Sequence, residues 1–280
     1  MRICPDCVSP TEGSCDACGW APRRENGVED WLSTDDRESI STSAYLATYE
    51  QIAKDDLDAS IQQEDLLKRN AEHTARVIGR LNGKVVLEIG IGQGHLFRLL
   101  AGANAERLVG VDVAIPYITG RPDTLRANAE NLPWINEFDM IVATDILEHV
   151  LHPGDVLLSA RRALKSRGQL VVRVPQGESL VPYARLAGCN YEHVHLRTYT
   201  RRTMRRELSD AGFVICRMVA SERKAGRARD WFEHGLRRSP AHSPWLDGDN
   251  RGLVRRGLYK FTPTWIKNRP PEITVVAMKP

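Results

Sequence analysis

The chain has 280 residues, of which 42% are hydrophobic and 27% charged, with a formal net charge of +3. That is enough to bury one α/β core and leave residues for an appendage, and it excludes a disordered chain or an overall polyanion binder. No apolar run approaches the ~20 residues of a membrane span, and the opening MRICPDC lacks the apolar stretch of a signal peptide, so a cytoplasmic location is expected.

The first segment, residues 1–34, holds four of the six cysteines as Cys4-Pro-Asp-Cys7 and Cys15-Asp-Ala-Cys18, followed by Gly19. Each pair can place two thiolates on one metal, and four soft ligands suit tetrahedral zinc. Disulfides and an iron–sulfur cluster are the alternatives. The spacing resembles small zinc ribbons. So short a segment needs a metal to fold, and it is expected to be separate from the rest, so that stripping the metal spares the other site. Cys189 and Cys216 are isolated, and Cys216 reads as a small hydrophobe buried in an apolar strand.

Residues 35–81 read as helical, with Ile61, Leu66, Leu67, Val77, Ile78 and Leu81 forming a broken apolar stripe. Gly83 ends this segment and opens the domain of residues 82–280, whose first strand is Val85–Ile89. Strands follow at Leu108–Val113, Phe138–Ala143 and Gln169–Val174, separated by helices at 94–102 and 156–165. This alternation implies a parallel α/β sheet with right-handed crossovers. A late pair of strands, Phe213–Val219 and Ile273–Met278, encloses an irregular insertion, residues 221–270, that is longer than an ordinary loop.

The strongest candidate site is the turn after the first of these strands, Glu88-Ile-Gly90-Ile-Gly92-Gln-Gly94. Glycines there permit a tight turn and close approach of backbone to ligand, and the helix that follows offers its positive end. The pattern is GxGxG rather than the dinucleotide GxGxxG, and it is preceded by a carboxylate. Glu88 suits a ligand with an ammonium group better than a pyrophosphate. Asp112 closes the next strand, where a carboxylate can accept from both ribose hydroxyls.

These residues resemble the first two motifs of class I S-adenosylmethionine (SAM)-dependent methyltransferases, the second being Val109-Gly-Val-Asp112. Asn128-Ala-Glu-Asn-Leu-Pro133 resembles the adenine segment, although family members often carry Asp in place of Asn128. The stretches 138–150, 164–175 and 195–213 resemble the strands and connections that follow, in the family's order. The resemblance implies a Rossmann-like sheet with an antiparallel last strand. It also implies SAM contacts at Glu88, Gly90, Gly92, Gly94, Asp112, Val113, Asn128, Ala129 and Asp145.

Asp145, Glu148 and His149 stand at i, i+3 and i+4, and share one face if Asp145 begins a helix. Either His149 is a general base oriented by a carboxylate, or the three bind magnesium; a purely structural signature is the third reading. The magnesium reading draws on a resemblance to quinone-biosynthesis O-methyltransferases. His193 and His195 are alternative bases. Residues 201–270 carry 17 Lys plus Arg against 7 Asp plus Glu, with aromatics among them, which suits RNA, a glycan or an anionic lipid, or else a solvated basic cap whose tryptophans pack onto the sheet. The leading expectation is O-methylation of a small-molecule or carbohydrate acceptor. The alternatives are an RNA methyltransferase, in which the cysteine module and insertion hold the substrate, and a non-catalytic binding module.

Overall fold

The computed structural model describes residues 1–59, 64–176, 196–220 and 272–280. The insertion 221–270, His193, His195 and Cys189 lie outside these residues. The cysteine segment ends in a hairpin of β1 (Arg23–Glu25) and β2 (Val28–Asp30), turned by Asn26 and Gly27, both at positive φ. Three helices follow: α1 (Thr34–Glu38), α2 (Ile40–Ala59) and α3 (Glu64–Ile78). The α/β core then runs β3 (Val85–Ile89), α4 (His95–Ala101), β4 (Arg107–Asp112), α5 (Ile115–Ile118) and β5 (Thr124–Arg126). It continues through a 3-10 turn at Ala129–Asn131, β6 (Phe138–Thr144), α6 (Pro153–Ala163) and β7 (Leu164–Pro175). It ends with α7 (Arg201–Asp210), β8 (Val214–Ala220) and β9 (Glu272–Met278). Among the described residues no helix is long and apolar enough to cross a membrane.

The strands form one sheet in the order β1-β2-β5-β4-β3-β6-β7-β9-β8. From β2 to β7 every neighbouring pair is parallel, and β9 lies antiparallel between β7 and β8. This is the Rossmann-like sheet with an antiparallel last strand that the sequence implied. The order reverses beside β3, so its turn opens into the crevice where such sheets bind ligands. Val86, Leu87, Phe138, Ile141, Val142 and Val171 are fully buried, as expected for parallel strands covered on both faces.

Two expectations fail. The cysteine segment is not separate: β2 pairs with β5, and Cys4, Cys15, Trp20 and Trp31 join the same apolar cluster as Leu87, Val111 and Phe138. Trp20 and Trp31 pack ring to ring at 5.1 Å, and Arg2 stacks over Trp31 at 4.7 Å. Buried Asp30 fastens the joint by accepting from Arg37 and Arg126. Nor is Cys216 buried. It lies exposed in β8, at the register shift between Ile215 and Arg217 that turns its side chain outward.

If the hairpin is part of this core, Trp31→Ala costs ~3–5 kcal/mol and lowers the melting temperature of one cooperative transition. A variant that melts in two steps, with the main step unmoved, would return the segment to independence.

Candidate functional site

The turn after β3 is held to the end of β4. The Gly90 amide donates to the Val111 carbonyl at 2.8 Å, and the Gly92 amide to Asp112 Oδ2 at 3.0 Å. The Ala114 amide donates to Asp112 Oδ1 at 3.0 Å. Gly90, Gly92 and Gly94 all have positive φ. At φ +73° and +79°, Gly90 and Gly94 are strained for any other residue; a Cβ on Gly90 would also lie 1.9 Å from Ile146 Cδ1, and one on Gly94 would displace the end of the Arg121 side chain. Arg121 also donates to the Gln93 carbonyl at 2.9 Å and so braces the turn from outside.

Glu88 and Asp112 are both buried at the carboxyl ends of neighbouring strands. Burial pushes the Glu88 carboxyl up to about 8, against the opposing fields of Arg173 and Arg121. Its Oε2 has no hydrogen-bond partner. Burial raises Asp112 too, but the Ala114, Gly92 and Val113 amides work against it. The crevice therefore offers an orphaned carboxyl oxygen, a carboxylate fixed by amides and a side-chain-free turn. These acceptors fit a ligand with an ammonium at one end and a sugar diol at the other.

The Asp145, Glu148 and His149 face does not form. The chain leaves β6 with Asp145 at φ +56°, and residues 147–149 make a turn rather than a helix. The cause is Arg173, a buried charge in β7 that the sequence reading missed. It ion-pairs with Asp145, lies 3.9 Å from Glu272 and donates to Thr74 Oγ1 at 2.9 Å. Among the described residues, the groups placed to share a metal are the four cysteines and an exposed Glu130, His152 and Asp155 set. The magnesium reading is left without its ligand set. A charge inside the apolar run Leu170-Val-Val-Arg173-Val was the signal available in the sequence.

His149 is one-fifth exposed, with Nε2 3.8 Å from Glu148 and its ring edge-on to Tyr49 at 5.9 Å. Arg197 staples this turn by donating to the carbonyls of Leu147, Val150 and Leu151. Leu196 adds a bond from its amide to the Glu148 carbonyl at 2.8 Å. Asn128 does not face the crevice alone. Its Nδ2 donates to buried Asp36 at 2.6 Å, and its Oδ1 accepts from the Glu130 amide.

The four cysteines converge. Cys4 and Cys18 lie 3.6 Å apart, Cys7 and Cys15 3.5 Å, and all four sulfurs fall within 4.8 Å of one another. A disulfide needs about 2.05 Å, whereas four thiolates at ~2.3 Å from one tetrahedral ion sit roughly 3.8 Å apart. Val8 and Gly19, each following the second cysteine of its pair, both take positive φ, so the two pairs form matching knuckles.

Comparison with known proteins decides the family. The family described as "Methyltransferase domain" matches residues 62–217, more than half of the chain. The chain belongs to this family. It is a SAM-dependent methyltransferase of class I. It is 29% identical over 201 residues to a tRNA U34 carboxymethyltransferase of Serratia proteamaculans, covering 64% of this chain and 59% of that protein. It is 34% identical over 108 residues to the protein of that name from Shewanella sp. (strain W3-18-1), covering 34% and 32%. The chain spans less than two thirds of the length of these relatives.

Its fold matches a chain in the complex of the Haloferax volcanii Trm112 methyltransferase activator with a methyltransferase. The TM-score is 0.56 at 16% identity, over 84% of this chain and 97% of that one. A SAM-dependent methyltransferase of Archaeoglobus fulgidus matches with a TM-score of 0.51 at 16% identity, over 78% and 95%.

The raised Glu88 has a consequence for stability. Folding favours its protonated form, so this contribution is fully present below the ordinary carboxylate value of 4.5 and is lost as pH rises through about 8. Urea denaturation of the ligand-free methyltransferase should show stability declining across that window. Glu88→Gln should flatten the decline; an equal slope in the variant would place the titration elsewhere.

Proposed function

We propose that this methyltransferase transfers a methyl group from SAM to a nucleoside of RNA, with tRNA as the substrate class. The observation that carries the reading is the likeness to tRNA U34 carboxymethyltransferases, which reaches across 64% of the chain in one of them. The +10 excess of basic over acidic residues in 201–270 supports it, since such charge suits a phosphate backbone. The small-molecule or carbohydrate acceptor first expected finds no support among the relatives, and the RNA alternative takes its place.

The residues take the following roles. Glu88 receives the ammonium, Asp112 the ribose hydroxyls, and the turn Gly90, Gly92 and Gly94 admits the amino-acid end. Val113, Asn128 and Ala129 border the adenine. SAM, when bound, supplies an electrophilic methyl on its sulfonium. Asp145 is a positioning residue, fixed by Arg173. His149, partly exposed and braced by Tyr49 beside buried Glu148, is the candidate to accept the proton that the acceptor loses. His193 and His195 remain the alternatives for that role. Cys4, Cys7, Cys15 and Cys18 hold one structural zinc, whose four thiolates close its coordination sphere and leave it no catalytic position.

Labelled SAM incubated with the protein and fractionated extract tests the reading. Label should enter tRNA and be released by nuclease; label confined to glycolipid or small metabolites would overturn it. Asp112→Ala should weaken SAM binding roughly ten- to a hundredfold by calorimetry, a charged bidentate contact being worth ~1.5–3 kcal/mol. His149→Ala should lower turnover by ~10²–10⁴ with SAM affinity near normal.

A further inference from the structure

The two residues inside the first cysteine pair, Pro5 and Asp6, make contacts that lead to the SAM crevice. The Pro5 carbonyl accepts from Asn131 Nδ2 at 2.8 Å. The Asp6 carboxylate accepts from the Thr34 amide at 2.7 Å and the Thr34 hydroxyl at 2.6 Å. Thr34 begins α1, whose first turn is closed by a reciprocal cap between Ser33 and Asp36. Asp36 in turn accepts from Asn128 at 2.6 Å. The 3-10 turn Ala129–Asn131 is thus tied at both ends to one knuckle, through Asn131 to Pro5 and through Asn128, Asp36 and Thr34 to Asp6. The Ile3 amide adds a third tie, to the Pro133 carbonyl at 3.1 Å. The same turn follows β5, and the Ala127 amide donates to the Asp112 main-chain carbonyl at 3.3 Å.

We infer that the cysteine knuckle is a clamp on the adenine segment, so that metal bound at Cys4, Cys7, Cys15 and Cys18 sets the affinity of the crevice for SAM. Pro5 and Asp6 are spaced by the two cysteines that flank them, and a metal that fixes Cys4 and Cys7 fixes both links. Without it the pair is free to open. The turn then loses its outer supports and keeps its inner ones: the Leu132 amide on Ser159 Oγ, Arg162 on Asn131 Oδ1 and the Leu132 carbonyl, and the His152 amide on Glu130. Pro5, Asp6 and Asn131 are positioning residues: they act on Asn128 and Ala129, not on the cofactor. The inference rests on the SAM and zinc assignments above, and it reverses the expectation that removing metal spares the cofactor site.

The test uses the full chain, with zinc counted by elemental analysis before each measurement. Asn131→Ala and Asp6→Ala each leave all four cysteines in place. Each should retain one zinc and weaken SAM binding roughly fivefold, the loss of one or two hydrogen bonds. Asp6→Asn, which keeps an acceptor for the Thr34 amide, should recover most of the affinity. Chelation should weaken binding further and speed hydrogen exchange at residues 128–132 while exchange in β3 and β6 stays slow. Added zinc should reverse both effects. If the metal-free protein unfolds, the zinc-loaded variants decide. Unchanged SAM affinity and unchanged exchange at 128–132 in both alanine variants would overturn the clamp, and a wild-type protein free of bound zinc would overturn its metal dependence. Exchange at 128–132 is read without SAM, so a failed clamp stays distinguishable from a failed cofactor assignment.

Discussion

The Asp112 carboxylate is the fixed point of the site. A parallel strand that ends in a buried carboxylate must find it donors, and the nearest are backbone amides. Gly92 supplies one from the turn after β3 and Ala114 another from its own strand's exit, so one side chain joins two βα turns. Glu88, one strand away and also buried, leaves its Oε2 without a donor; burial raises both carboxyls, but only that of Asp112 is restrained by amides. Two acids side by side in the same crevice thus meet the same burial with different partners, backbone amides for Asp112 and the fields of Arg173 and Arg121 for Glu88. Asp112 accepts two amide hydrogen bonds, whereas Glu88 Oε2 has no partner. The glycine contributes through its backbone: Gly92 presents its amide to Asp112 at φ +51°, a conformation that other residues rarely adopt.

The N-terminal segment solves a different problem at the far edge of the same sheet. β5 is only three residues long and would otherwise present an open edge. The hairpin β1–β2 covers it, and Asp30, buried between Arg37 and Arg126, holds the added strands in register. Its two tryptophans extend the apolar cluster outward to the cysteines. A segment too short to bury a core of its own borrows one from its neighbour, and its first knuckle thereby contacts Asn131 and Pro133.

Elements with a local cause were legible in the sequence. β3, β6 and β9 are apolar runs bounded by turn residues, and their observed limits lie within a residue of those expected. The helix starting at His95 follows from the glycine turn that precedes it. Elements with a tertiary cause were not legible. β1 and β2 are three residues each, and the hairpin is joined to the sheet only by the pairing of β2 with β5. Asp145 carries helix-compatible spacing to Glu148 and His149, yet an arginine twenty-eight residues later pulls its carboxylate away. Cys216 has apolar neighbours, but a register shift at an edge strand decides which way it faces. In each case the missing information was the identity of a partner distant in sequence.

Asn128 joins these strands of argument. The resembling family often carries Asp at that position, and a carboxylate there would face Asp36 across the 2.6 Å that the amide now bridges. Asp36 is buried and already bound in the cap with Ser33, so it cannot move to relieve the contact. Two carboxylates at that distance would not both ionise. The amide removes the conflict and adds a donor that Asp lacks. The amide at this position thus matches the N-terminal segment that brings Asp36 against it. Asn suits a chain that brings Asp36 against residues 128–133, and the same bond ties them, through Asp36 and Thr34, to the cysteine knuckle.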